Sequence, residues 1–332
     1  MWSPRTFTLL ALAAAACAQT PGGTTLSNPA TRFTRSEKPY AILKRGPVEI
    51  VVVTNDAVDD SVLTGHRAGY SGVALLRHKR RAENLFVPAL AGLNFEHILD
   101  GTASTDRNIQ FEPRNWPMEL RLVNRYAVEL CQQPTFHHAL ESCQRYELLG
   151  DGTIQLTIEV AARKPTFRNG YINLFWASYI HKPESLDIHF RGVPASNPNP
   201  REAAWIRGVT PAHGTLSTHP AYNDTRVFPH DDPFPLTLVH SLSEHRYTEP
   251  WYFAVSHGMA FVQMFRPIDR VRITQSPSGG GQGNPAWDFQ YFIPNYEPDR
   301  IYQLVMRAAY LPFQSPEQIE KATRKHRAAL AR

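Results

Sequence analysis

Several signatures that assign a chain to an enzyme class are missing from these 332 residues. No Gly-x-Ser-x-Gly occurs, and the nearest run, Gly69-Tyr70-Ser71-Gly72, lacks the spacing that exposes a serine on a strand-to-helix elbow. The glycine-rich run Ser278–Asn284 has no Lys-Ser/Thr and no following helical pattern, so it is not a phosphate loop. It reads either as a rim over a site or as a long hairpin loop. Histidine is plentiful at 14, yet no His-Glu-x-x-His is present. The 35 basic and 30 acidic residues are mixed along the chain for a net charge of +5, with no Lys/Arg tract and no aromatic ribonucleoprotein motif, which argues against a nucleic-acid partner. An anionic polysaccharide is compatible with that charge. There is no repeat of fixed period and no composition break that divides the chain.

Cysteine is scarce, at three. Met1–Ala18 carries Arg5, an apolar run and the small-residue sequence Ala16-Cys17-Ala18, the pattern of a secretory signal peptide. The apolar run is shorter than the roughly 20 residues that span a bilayer. Cleavage after Ala18 is one outcome, giving a secreted or periplasmic protein. Lipidation of Cys17 is the other, and only that route implies a membrane partner. Either way Cys131 and Cys143 meet an oxidising compartment, where a bridge is favoured over a metal site and two separate buried thiols are the alternative. Residues 19–39, rich in Thr, Ser, Pro and Gly, read as a flexible lead.

From residue 40 onward the pattern is that of a single β-domain. Thr153–Ala161 alternates Ile154, Leu156, Ile158 and Val160 with Thr153, Gln155, Thr157 and Glu159, which predicts a half-buried strand entered through a Gly150-Asp151-Gly152 hairpin turn. Similar runs lie at Val48–Thr54, Gly72–Leu76, Met118–Leu130, Tyr171–Ile180, Ser185–Phe190, Leu236–His240, Trp251–Phe265, Arg270–Thr274, Ala286–Ile293 and Ile301–Pro312. Proline, at 27 residues, suits shaped loops between strands. Only Glu317–Leu330 reads as helix, capped by Ser315 with Pro316 in its first turn.

The most informative stretch is Arg246–Pro294, where aromatic and titratable residues crowd between strand patterns. Pyranose rings offer C–H faces to aromatic rings and hydroxyls to fixed polar partners. Trp251, Trp287, Arg246, Glu249, His257, Asp288 and Gln290 could supply both. Glu249 and Asp288 lie beside aromatics, where burial would separate two carboxyl pKa values for acid and base work, whereas Glu96, Asp100 and Glu112 read as loop residues. His213, His219 and His230 around one Pro-rich crossover, and His137-His138 with Glu141, could approach a metal only if the fold gathers them. No metal and no cofactor is expected.

Three segments in order resemble the aldose 1-epimerases of the galactose mutarotase superfamily. They are Gly92–Gly101 (GLNFEHILDG, with Trp116 downstream), Asn169–Trp176 (NGYINLFW) and Trp287–Asn295 (WDFQYFIPN). The resemblance implies a large antiparallel super-β-sandwich with a concave saccharide-binding face and a short C-terminal helix. It places His97 where the family has a sugar-binding histidine, Asp288 where it has the catalytic glutamate, and Gln290 two residues on. Asn169 stands where the family keeps its acid histidine, and an amide cannot donate and recover a proton as imidazole does. The expectation is therefore a base at Asp288, an acid from His213 or His257, and Arg67, His97 and Gln290 on hydroxyls. Relatives of this fold also include polysaccharide lyase domains, in which a His or Tyr base and an Arg or Asn on a uronic carboxylate would draw on His213, His257, Tyr252, Arg246, Arg67 and Asn169. Two other readings compete. One is a glycan-binding protein without catalysis, stacking sugars on Trp251 and Trp287; the other is a structural exported protein in which the stretch is merely core.

Overall fold

The computed structural model describes residues 22–235 and 239–332; the signal-peptide reading with Cys17, and most of the expected strand Leu236–His240, lie outside the described residues. The chain is a large antiparallel β-sandwich. One layer is a ten-stranded sheet running, edge to edge, Thr34–Arg35, Glu119–Asn124, Ala127–Gln132, Leu140–Leu148, Ile154–Ala162, Tyr302–Pro312, Met259–Phe265, His245–Ser256, Ile188–Pro194 and Ala204–Gly208. Against it lie a five-stranded sheet, in the order Thr218–His219, Arg272–Ser276, Ala286–Pro294, Tyr171–Ala177 and Asn94–Leu99, and a three-stranded sheet of Tyr40–Arg45, Val48–Val53 and Gly72–His78. One continuous apolar cluster takes residues from all three sheets.

The centre of that cluster is a column of rings. Trp176 stacks between Phe95 at 4.8 Å and Phe289 at 5.2 Å, and its indole N–H donates to Gln144 Oε1 at 2.8 Å. Burying an indole demands such an acceptor, because an unpaired donor would cost about 1–3 kcal/mol. Phe95, Trp176 and Phe289 come from the three strands that meet side by side, so the column also sets their register.

Two runs read as single strands are hairpins. Trp251–Phe265 breaks at His257-Gly258, whose positive φ values of 52° and 71° make the tight turn that matches strand twist. Met118–Leu130 breaks between Asn124 and Ala127 for the same topological purpose. The strands Tyr40–Arg45 and Asn94–Leu99 were not expected from pattern.

The outer face of the large sheet is covered, which corrects the half-buried reading of Thr153–Ala161. All nine residues of Ile154–Ala162 are buried. The part of the expected lead that is described, from Gly22 onward, straps this face: Thr24 and Ser27 each donate a main-chain and a hydroxyl hydrogen bond to Glu159, and Thr25 does the same to Glu129. Thr24 is fully buried by the contact. Further along the sheet, the helix Pro316–Leu330 seats Ile319 and Leu330 on Trp251, Phe253, Val262 and Met264, with Ser315 Oγ accepting from the Gln318 N–H at 3.2 Å.

Cys131 and Cys143 face each other on neighbouring strands and form a disulfide, so the alternative of two free thiols does not hold. The bridge closes the loop that carries His138, whose ring and main-chain N–H both donate to the buried Glu112. Replacing both cysteines by alanine should lower stability by about 3 kcal/mol, the chain-entropy value for a loop of roughly this length, measured by denaturant unfolding.

Candidate functional site

The strand Ala286–Pro294 runs through the middle of the five-stranded sheet, and its alternation divides the stretch the sequence singled out. Trp287, Phe289 and Ile293 point into the core between the sheets. Ala286 and Asp288 point the other way, into a cavity of about 280 Å³ walled by Phe111, Phe175, Phe234 and Tyr179. His97 and His213 line the same cavity. Asp288 is 1% exposed. Its Oδ1 accepts from the Ser178 N–H at 2.9 Å, and its Oδ2 has no partner among the described residues. Burial pushes this carboxyl well above its ordinary range; the Ser178 hydrogen bond opposes the shift and the negative charge of Glu96 adds to it. Thr274 Oγ1, directly across the ladder, and Asn173 Oδ1 on the next strand are fully buried and also unpartnered.

The two residues before the expected sugar histidine's strand end explain a surprise. The ladder pairs Phe175 with His97 but Trp176 with Phe95, so Glu96 is an extra residue in a β-bulge. A regular strand would turn Glu96 and His97 to opposite faces. The bulge sends both into the cavity while Phe95 and Ile98 stay in the core. His97 Nδ1 donates to the Gln110 carbonyl at 2.9 Å, its Nε2 faces Glu96 at 3.3 Å, and its ring packs on Phe111. Burial alone would raise the Glu96 carboxyl, but Arg114, His97 and Tyr179 together hold it at about 2. Arg114 reaches Glu96 at 3.1 Å and Tyr179 OH at 2.5 Å from the short helix Glu112–Asn115. His213 is anchored by a 2.5 Å hydrogen bond between Nδ1 and Ser276 Oγ.

Of the residues expected at the site, the fold thus brings together Asp288, His97 and His213. The others go elsewhere. Trp251 and Trp287 are 1% and 0% exposed, so neither can stack on a sugar; that role is open only to the phenylalanine and tyrosine walls. Glu249 accepts from Trp251 Nε1 and from Arg327, tying the C-terminal helix to the sheet. Arg246 donates to the carbonyls of Ser243 and His245. His257 sits in its hairpin turn against Glu184. Gln290 shares the face of Asp288 but is fully buried, where it accepts from Asn173. Arg67 lies over the Tyr70 ring, and Asn169 donates its N–H toward Asp100; neither lines the cavity. His219 is fully buried and driven down to about 3 by burial, then by the charges of His245 and Arg246. Among the described residues the histidines do not gather into a metal set; the one compact ligand-type group is Glu129 with Cys131 and Cys143, and those sulfurs are bonded to each other.

Glu96, Arg107, Arg114, Tyr179, Phe111, Phe175 and Ser276 were not expected. For Glu96 a signal existed: Phe95 and Ile98 are three apart, which breaks strict alternation and announces a bulge. A larger hollow of about 740 Å³ opens beside Tyr222, Ile268 and Tyr291. Of its charged groups, Arg226 is engaged with Asp224, Asp269 with Arg266 and Glu249 with Arg327, while Arg270 is exposed.

The fold and cavity together define a β-sandwich protein with a small cavity lined by aromatic rings, two histidines and two carboxyls. Solved structures similar to this chain are aldose 1-epimerase and galactose-mutarotase-like proteins. A protein from Escherichia coli K12, provisionally named an aldose 1-epimerase, matches at TM-score 0.47 and 10% identity, over 82% of this chain and 99% of that one. A galactose 1-epimerase from Lactobacillus acidophilus matches at TM-score 0.45 and 11% identity, over 85% and 99%. A heparan sulfate lyase from Pedobacter heparinus matches at TM-score 0.36 and 8% identity, over 84% of this chain and 37% of that one. No family model and no curated protein matches the sequence. At these identities the likeness concerns the path of the chain, and the chemistry rests on the cavity itself.

Because the folded chain holds the Asp288 proton more tightly than the unfolded chain, this group favours folding below its unfolded value of about 4, and that contribution is lost as pH rises toward and through the raised folded value. Asp288→Asn, which cannot ionise, should therefore gain stability relative to the parent as pH is raised from 4 to 8 in parallel urea titrations. A difference independent of pH would show that Asp288 is not held protonated.

Proposed function

We propose that this chain is an exported carbohydrate-active protein that takes one sugar ring into the cavity of Asp288 and moves protons on it, in an epimerase-like or lyase-like reaction. The observation that carries the reading is Asp288 itself, a buried carboxyl with one unpartnered oxygen that shares an aromatic-walled cavity with two histidines. A carboxyl raised well above its ordinary range by burial holds its proton where an exposed carboxyl has lost it, which suits proton transfer. The cavity, at about 280 Å³, lies near the lower edge of the roughly 300–1,000 Å³ common for small-molecule sites, which suits a single ring or a chain end. Phe111, half-buried in the cavity wall, offers a face for its C–H groups. The signal-like N-terminus and the Cys131–Cys143 bridge support an oxidising, extracytoplasmic location.

The test is a panel of free aldoses, followed by polarimetry for anomer interconversion, together with uronate-containing polysaccharides followed by ultraviolet absorbance for unsaturated ends. Asp288→Asn should lower turnover by about 10²-fold or more on whichever substrate is active. Unchanged affinity and turnover in that variant on every glycan would sink the reading.

A further inference from the structure

The cavity holds a second carboxyl, and the contacts of the two are complementary. Oε2 of Glu96 receives Tyr179 OH at 2.5 Å and Arg114 Nη2 at 3.1 Å, while Oε1 lies 3.3 Å from His97 Nε2, which donates to it only when the imidazole is charged. Donors therefore fill the Oε2 side of that carboxylate. Asp288, which lines the cavity, has the opposite arrangement, with Oδ1 on the Ser178 N–H and Oδ2 buried without a partner among the described residues. Arg114 cannot swing away to serve Asp288 instead. Its guanidinium is pinned against the Tyr70 ring at 4.4 Å and the Phe111 ring at 4.9 Å, with a further hydrogen bond to Asn94 Oδ1 at 3.3 Å.

We propose that Glu96, clamped by Arg114 and Tyr179, is a positioning residue that makes Asp288 the proton donor of the cavity. This refines the proposed function, on which it rests, and reverses the expected role of Asp288 as base. Two carboxyls in one small cavity cannot both ionise cheaply; the one with the cation and the phenol beside it takes the charge, and the other keeps the proton. The charged or titratable groups around Asp288 are Glu96 and His97 from the edge strand, Tyr179 and His213 in the wall, Arg107 at the mouth, and Tyr252 from the large sheet, whose OH donates to the Asp288 carbonyl at 3.2 Å. Among the described residues no cation is hydrogen-bonded to the Asp288 carboxyl. In a ring-opening step the bond from the anomeric carbon to the ring oxygen breaks, and the ring oxygen takes the Asp288 proton. The anomeric hydroxyl then becomes a carbonyl as its proton passes to His213. Closure from either face reverses both transfers.

The test reads the proton directly. Infrared spectra of the full chain with ¹³C-labelled aspartate, without sugar, should show a buried protonated carboxyl band that is absent from Asp288→Asn and persists to neutral pH. In Glu96→Gln the midpoint of that band should fall by about one pH unit or more. Tyr179→Phe, a milder change that keeps the ring, should move it in the same direction by less. If Glu96→Gln fails to fold, Tyr179→Phe carries the test. A midpoint that is the same in the folded variants and the parent overturns the proposal, as does a parent with no such band at pH 6. Should the band shift while no sugar is turned over, the proton placement stands and the proposed function falls. Should sugar be turned over while the midpoint ignores residue 96, the positioning role falls alone.

Discussion

A strand buried on both faces must satisfy inside the protein every polar side chain it carries, and Ala286–Pro294 is such a strand. On one face it delivers Trp287 and Phe289 to the ring column that joins the sheets. On the other it holds Asp288 and Gln290 away from solvent. Everything at the site follows from that double burial. It takes the Asp288 carboxyl out of water, which raises it, and leaves one of its oxygens without a partner among the described residues.

The edge strand Asn94–Leu99 answers this constraint with a bulge. Had it continued regularly, one of Glu96 and His97 would have faced the apolar column, where an uncompensated charge is prohibitive. The extra residue turns both outward into the cavity, and the helix Glu112–Asn115 brings Arg114 to neutralise the carboxylate. The ring column and the polar cluster are thus alternatives resolved by one residue of register. Phe95 can stack on Trp176 only because Glu96 is displaced.

The far side of the sandwich obeys the same rule by a different route. The large sheet carries Glu129 and Glu159 on its outer face, both buried, and the segment from Thr24 to Ser27 satisfies them with main-chain and hydroxyl donors. Glu129 has Arg145 as well, while the C-terminal helix screens the apolar part of the face beyond. Thr24, Thr25 and Ser27, within the stretch that read as a lead, are therefore part of the fold, because buried carboxylates require donors.

Alternation, turn residues and the cap at Ser315 were legible along the chain, since a strand's period and a helix's first turn depend on neighbours a few residues apart. They were sufficient for an antiparallel β-fold and for the C-terminal helix, while the family resemblance of their segments was what marked Asp288 as base and His97 as sugar ligand. Which side of the strand each residue faces, and what stands opposite, depends on pairing with strands a hundred residues away. That is why Trp251 and Trp287 read as sugar platforms yet are core, and why Arg114 and Tyr179 carried no signal at all. The sequence alone determined the class of fold and the chemistry available to it. Only the tertiary structure decided which carboxyl meets a guanidinium and which keeps an empty oxygen, because charge and burial are properties of neighbours in space.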